Sequence, residues 1–261
     1  MSADLLGGRV VLVSGGTTGV GAACARVAAR EGAAAVVVTG RRPGPGEGLV
    51  AELAGRGTPA SYVACDVADP QRCRAAVAAT VEAYGRVDAL VNAAGLTDRG
   101  TLLDTTPELF DAHVAVNLRG PFFLMQAAVA DMLRRGAPGT VVNVGSEAAH
   151  GGAPVLAAYA AAKAGLAGLT RTAAHAHRFD RIRINGLNIG WTDTEGEDAT
   201  QRRFHDAGDD WREQAGKTLP MGRLASATDA AEAVVFLLSD RSGVVTGSVL
   251  DWDQTVLGAH D

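Results

Sequence analysis

Tyr159 and Lys163 stand four residues apart in the alanine-rich stretch Tyr159-Ala160-Ala161-Ala162-Lys163. On a helix this spacing puts both side chains on one face. Helical side chains lean toward the N-terminus, so the ammonium reaches back toward the phenol. A phenol beside a cation can give a proton to an oxygen or take one from it. A free phenol has a pKa of about 10, and bringing it to neutrality takes roughly 4 kcal/mol. A cation about 5 Å away, at an effective dielectric of 20, offers about 3 kcal/mol, with desolvation opposing it. Lys163 is therefore expected to supply most of the shift. Tyr and Lys one turn apart also occur on ordinary packed helices, so the reading depends on their companions. Ser146 ends an apolar β-branched run thirteen residues before Tyr159, and Asn117 lies in an earlier helical stretch. His113, one turn before Asn117, could line the same cleft, whereas His175 and His177 read as surface residues. No His/Asp/Glu set has metal-ligand spacing.

A second motif is Ser14-Gly15-Gly16-Thr17-Thr18-Gly19-Val20-Gly21, between a strand-like run and a helical one. Its glycines allow a tight turn and let the backbone approach a pyrophosphate. The helix that follows presents free N–H groups and the positive end of its dipole. After the second strand-like run come Thr39, Gly40, Arg41 and Arg42. The acid that usually grips the ribose hydroxyls of NAD at this place is missing, and the nearest is Glu47. Two guanidinium groups suit a phosphate by charge and by fork geometry.

The elements that must position these groups follow from the alternation of short apolar runs with longer helical stretches. Strands are expected at 9–14, 35–40, 61–66, 87–92, 140–145, 182–187 and 248–252. Helices are expected at 19–31, 49–56, 70–84, 107–135, 156–178 and 228–238. Residues 43–48 read as a Gly/Pro loop. Pro121 should kink the 107–135 helix or divide it in two. Continuous apolar strands separated by helices imply an α/β fold, a doubly wound parallel sheet of Rossmann type with helices on both faces. No linker or composition break appears, so one domain over 1–261 is expected. The polar segment 191–220, with Trp191, Phe204 and Trp211, reads as a mobile substrate lid at about the strand ends.

With these motifs in order along nearly the whole chain, about residues 7–255, the sequence resembles the short-chain dehydrogenase/reductase family. Ser14-Gly15 through Gly21 resembles its TGxxxGxG motif, Tyr159 to Lys163 its YxxxK, and Asn92-Ala93-Ala94-Gly95 its NNAG, with Ala93 in place of the second Asn. Gly190-Trp191-Thr192-Asp193-Thr194 resembles its PGxxxT, with Ile189 in place of Pro. That exchange restores an N–H and frees φ. The usual DGG near the end is replaced by Asp251-Trp252-Asp253-Gln254.

The resemblance implies an NAD(P)-dependent oxidoreductase that moves a hydride between nicotinamide and an alcohol or carbonyl. It implies a catalytic set of Asn117, Ser146, Tyr159 and Lys163. In it Ser146 orients the substrate oxygen, Lys163 tunes Tyr159 and holds the ribose, and Asn117 supports a proton-relay water. The implied cofactor contacts are Gly15, Thr17, Thr18, Gly19, Val20, Gly21, Arg41, Arg42, Asp66, Val67, Asn92, Ala93, Ala94, Gly95, Tyr159, Lys163, Ile189, Gly190, Thr192 and Thr194. Within that set Asp66 accepts from the adenine amino group, and Arg41 favours NADP, with NAD possible. Homotetramers or dimers built on the two long helices are also implied.

The composition narrows what remains. The net charge, 24 − 29 = −5, argues against nucleic acid as a partner. No apolar run approaches the roughly 20 residues of a membrane helix. Residues 1–8, with Asp4 and no basic cluster, do not read as a signal peptide. Cys24, Cys65 and Cys73 form no CxxC pair and read as small fillers, so a cytoplasmic setting is expected. The charged lid suits a polar substrate such as a sugar, polyol or hydroxy acid. The alternatives are a 3-oxoacyl thioester reductase or a non-catalytic NADP-binding sensor or scaffold. A nucleotide-sugar epimerase would need a larger C-terminal region than the 40-odd residues after Pro220.

Overall fold

The computed structural model describes residues 4–257. The start of the 1–8 stretch and the last residues of the expected 1–261 domain lie outside them. Along the chain the strands are β1 (Val10–Ser14), β2 (Ala35–Gly40), β3 (Ala60–Ala64), β4 (Ala89–Asn92), β5 (Gly139–Ser146), β6 (Ile182–Ile189), β7 (Thr192–Asp193), β8 (Ala225–Ser226) and β9 (Val249–Trp252). The helices are α1 (Gly19–Arg30), α2 (Pro43–Gly55), α3 (Pro70–Tyr84), α4 (Pro107–Val114), α5 (Gly120–Arg135), α6 (Ala157–His177), α7 (Glu195–His205), α8 (Trp211–Lys217) and α9 (Ala227–Leu238). β7 and β8 pair with each other; the other strands form one parallel sheet in the order β3-β2-β1-β4-β5-β6-β9.

The apolar runs make this sheet because every second side chain goes to the same face. Val11, Val13, Val36 and Val38 pack with residues of α1, α2 and α9. Leu12, Val37, Leu90 and Val141 pack on the other side with residues of α3, α5 and α6. Both faces are covered, which is why the strands read as continuous rather than alternating. The order reverses between β1 and β4, which pair Ser14 with Asn92 at their C-terminal ends. The connections after the two strands diverge there, opening a crevice.

One sequence expectation changes, and two gain detail. Residues 43–48 are not a loop: α2 begins at Pro43, whose fixed φ suits a first turn. Gly46 is needed for packing, since a Cβ there would stand 2.2 Å from the Tyr62 ring. The 107–135 stretch is two helices joined by a π turn, Ala115–Arg119, in which the Gly120 N–H donates to the Ala115 carbonyl. The break thus falls just ahead of Pro121. Finally, 191–220 carries secondary structure of its own. Thr194 caps α7 through its hydroxyl, and α8 places Trp211 and Ala215 in a small core with Leu224, Trp191 and Leu219.

Candidate active site

The C-terminal ends of β1, β4, β5 and β6 border a cleft of about 1290 Å³. At one end lies the glycine loop. Gly15 has φ of +68°, and a Cβ there would come within 2.5 Å of the Ala94 backbone, so the loop after β1 can lie this close to the 93–95 segment only with glycine. Thr18, at the start of α1, makes no side-chain cap, and the first turn carries no acid. The N-terminal amides of α1 are therefore free to take an anion.

Thr17, Thr18, Gly19, Val20 and Gly21 line this end of the cleft, with Arg41, Arg42, Asp66 and Val67. Arg41 and Arg42 are exposed and make no ion pair among the described residues. The Asp66 carboxylate accepts from the Ala68 N–H at 3.0 Å, which fixes its turn and leaves its second oxygen for a ligand. Uncapped amides, close-packed glycines and two unpaired guanidinium groups fit a dinucleotide carrying an extra phosphate.

Ser146 ends β5, and the hydroxyl accepts from the Ala148 N–H. Tyr159 and Lys163 lie on the first turns of α6 with Ser146 beside them. Burial pushes the Tyr159 phenol up from its ordinary value. The hydrogen bond with Ser146 and the Arg99 charge pull it down, while Glu197 and Glu147 push it up. Lys163 is only 5% exposed. Its Nζ donates to the Val144 carbonyl at 2.8 Å and stands 5.7 Å from the Tyr159 ring centroid. Burial lowers Lys163 to about 8. Lys163 is therefore a buried ammonium close to the Tyr159 ring that is partnered by the Val144 carbonyl in the free protein.

Asn117 sits in the π turn, fully buried. Its side chain donates to the Leu96 carbonyl and accepts from the Leu96 N–H, both at 3.0 Å. Its Nδ2 is also 3.2 Å from His113 Nδ1. His113 does not line the cleft. It is buried, bonds the Asp98 carbonyl at 3.0 Å through Nε2, and meets the Tyr159 ring edge-on at 6.0 Å. Burial holds its imidazole below the usual histidine range.

One expected cofactor contact is corrected. Asn92 does not border the cleft; its side chain is buried between β4 and β5 and donates to Asn143 at 2.8 Å. Ala93, Ala94 and Gly95, one to three residues further on, do line it, as do Ile189, Gly190, Thr192 and Thr194. Thr192 bonds the Gly190 carbonyl through its hydroxyl, which steadies that loop without a proline at 189.

The far end of the cleft is polar, and several of its residues escape a motif reading. Arg99, four residues past Gly95, lines it with Glu147, Gln201 and Asp253. Burial, and next the Asp253 charge, hold Glu147 above the usual carboxylate range. Among the charged lid residues, Glu197 and His205 border the cleft, whereas Asp198 pairs outward with Arg202 and Arg212. The sequence traces of this end were the charged 191–220 segment and the loss of the DGG ending, which brings in Asp253.

Fold and cleft together define a nicotinamide-dependent oxidoreductase of alcohol and carbonyl groups. The family model described as enoyl-(acyl carrier protein) reductase matches residues 15–255, and the chain belongs to the short-chain dehydrogenase/reductase family. It is 37% identical over 246 residues to an L-rhamnose 1-dehydrogenase (NAD(P)(+)) of Sphingomonas, covering 94% of this chain and 95% of that one. It is 34% identical to a 3-oxoacyl-[acyl-carrier-protein] reductase of Thermotoga maritima, covering 95% of this chain and 97% of the relative. A crystal structure of a putative short-chain alcohol dehydrogenase from Sinorhizobium meliloti superposes with a TM-score of 0.87 at 32% identity, covering 97% of each chain. Among the described residues no helix is long and apolar enough to cross a membrane, and no cluster of three metal-ligating side chains occurs.

Proposed function

We propose that Tyr159 gives or takes the proton on the substrate oxygen, that Ser146 orients that oxygen, and that the cofactor is NADP in preference to NAD. The observation that carries this reading is the convergence of Ser146, Tyr159 and Lys163 on one wall of the cleft that also holds the glycine loop. When bound, the nicotinamide supplies or accepts the hydride. Every other task falls to the protein. Ser146 and Tyr159 both offer a hydroxyl to one oxygen, which holds the carbonyl in place and stabilises negative charge as it develops there. Lys163, 5.7 Å from the ring, favours the phenolate and has donors left for a ribose hydroxyl. Asn117, clamped to Leu96 on both its amide atoms, fixes the strand-end loop relative to α4 and α5 and holds the backbone where a relay water would bind.

Arg41 supports the NADP preference. It stands past the end of β2, where an NAD-specific enzyme places a carboxylate. The charged and amide groups at the far end support a small polar substrate such as a sugar, polyol or hydroxy acid. The three unpaired thiols fit a reducing cytoplasm. Copies are proposed to associate as dimers or tetramers through α4–α5 and α6, where Phe110, Phe122 and Leu133 are exposed; light scattering after gel filtration tests this.

The deciding experiment is Tyr159→Phe. Turnover is expected to fall by at least about a thousandfold, with NADP binding by fluorescence within a few-fold of wild type. Turnover retained by Tyr159→Phe would overturn the assignment.

A further inference from the structure

Arg99 comes from the β4–α4 connection and Glu197 from α7, and both line the cleft. Their side chains are 14% and 15% exposed. Arg99 Nη2 and Glu197 Oε1 are 3.9 Å apart, an ion pair but too long for a direct hydrogen bond. Each group is otherwise held in place. Arg99 donates through Nη1 to the Thr97 carbonyl at 2.8 Å and through Nε to His205 at 3.3 Å. Glu197 Oε1 accepts from Trp191 Nε1 at 2.8 Å and from Gln201 Nε2 at 2.7 Å. Trp191 in turn stacks on Trp211, whose ring centroid is 6.1 Å away, in the small core of the lid. The pair is thus a fixed donor and a fixed acceptor with a gap between them. At 3.9 Å the two atoms leave no room on the line between them, but one oxygen set to the side of the pair can stand about 2.8 Å from each.

We infer that Arg99 and Glu197 are the specificity-determining residues of this enzyme, that together they bind one hydroxyl of the substrate, and that they select a neutral polyhydroxylated alcohol or carbonyl compound. This rests on the reaction proposed above and narrows its substrate class. A hydroxyl is the neutral group that both accepts from a guanidinium and donates to a carboxylate. A substrate carboxylate can accept from Arg99 but meets Glu197 as a like charge, with Glu147 and Asp253 also facing the cleft. The thioester and alkyl portion of an acyl thioester offers no donor to Glu197, so such a substrate forgoes the charged hydrogen bond that a hydroxyl makes there. A site built around a substrate hydroxyl discriminates strongly against analogues lacking it. Both residues also act on Tyr159 through their charge, Arg99 lowering and Glu197 raising its pKa. This agrees with a hydroxyl held close to the reacting carbon.

The test is steady-state kinetics of the full-length protein with NADP on three probes: an aldose, a 2-hydroxy acid and an unsubstituted secondary alcohol. Wild type, Arg99→Met, Glu197→Gln and Tyr159→Phe are compared. Wild type is expected to favour the aldose in kcat/KM. Arg99→Met is expected to lower the ratio of aldose to secondary alcohol by about 30-fold, the order of one charged hydrogen bond. Glu197→Gln keeps an acceptor oxygen for Trp191 but loses the charge, and is expected to raise the ratio of hydroxy acid to aldose at least about tenfold. Circular dichroism and NADP binding near wild type establish that the variants are folded. If wild type turns over a probe and loses that turnover in Tyr159→Phe, while both ratios stay at the wild-type values, the reaction reading stands and this inference falls. A wild type that prefers the hydroxy acid overturns the inference in the same way. No turnover of any probe overturns both.

Discussion

Lys163 is the residue whose surroundings differ most from what spacing suggested. Its ammonium is buried against the Val144 carbonyl and lowered to about 8, against about 10.4 in an unfolded chain. Between those values the unfolded chain binds more protons than the folded one. This group's contribution to stability therefore rises with pH across the window from about 8 to about 10.5 and is least favourable below it. The cost of the buried charge at pH 7 is about 3 kcal/mol. Lys163→Met removes that cost. Urea unfolding is expected to show the free-energy difference between variant and wild type moving by about 3 kcal/mol in favour of wild type from pH 7 to pH 10.5. A difference that does not change with pH would show that the ammonium is not desolvated. The same burial explains why Tyr159 needs more than its lysine. Ser146 and Arg99 are what oppose desolvation in the free cleft, and Arg99 carries no motif by which a sequence reading could have found it.

The π turn is where an element serves the site. An α-helix would bond the Asn117 carbonyl to the N–H of residue 121, and proline has none. The chain instead widens, with Gly120 donating five residues back to Ala115. Gly120 also passes so close to β3's exit that a Cβ would stand 2.7 Å from the Val67 carbonyl. The widened turn aims the Asn117 side chain at Leu96. Such turns recur at functional sites. Pro121→Ala restores the missing donor and lets the turn tighten, rotating Asn117 away. The expected outcome is a kcat lower by about tenfold, near 1.4 kcal/mol of barrier, with a melting temperature equal to or above wild type. A kcat unchanged in a stably folded Pro121→Ala would separate the turn from catalysis. Pro121 announced a break in the sequence, but the kind of break depends on Val67 and Leu96, which are distant in the chain.

At the scale of the molecule, the crevice exists because the strand order reverses between β1 and β4. A ligand there touches loops from across the sheet and binds only the folded chain, so it stabilises by mass action, about 2.7 kcal/mol at a hundred times Kd. For a domain of this size that corresponds to roughly 5–10 °C in melting temperature. NADP is expected to give a shift of this order, NAD at equal concentration a smaller one, and Arg41→Ala is expected to bring the NADP shift down to that of NAD. Equal shifts by both dinucleotides on wild type would remove the phosphate role of Arg41.

Strand runs, the glycine loop and the Tyr159/Lys163 spacing were legible in the sequence because their physics is local. Side-chain alternation, backbone sterics at Gly15 and helical periodicity act over a few residues. The doubly wound sheet followed from those runs. What spacing misplaced was decided by neighbours remote in sequence. Tyr62 packs on Gly46 and makes α2 longer than its glycines suggested, and Asn143 draws the Asn92 side chain under the sheet and away from the cleft. The same holds for the far end of the cleft, where Arg99 meets Glu197 across 98 positions of chain. Charges and hydrogen bonds depend on distance in space, and no period or motif in the sequence encodes that distance. The sequence alone therefore determined the Tyr159/Lys163 pairing on one helix face, while the tertiary structure decided what surrounds it.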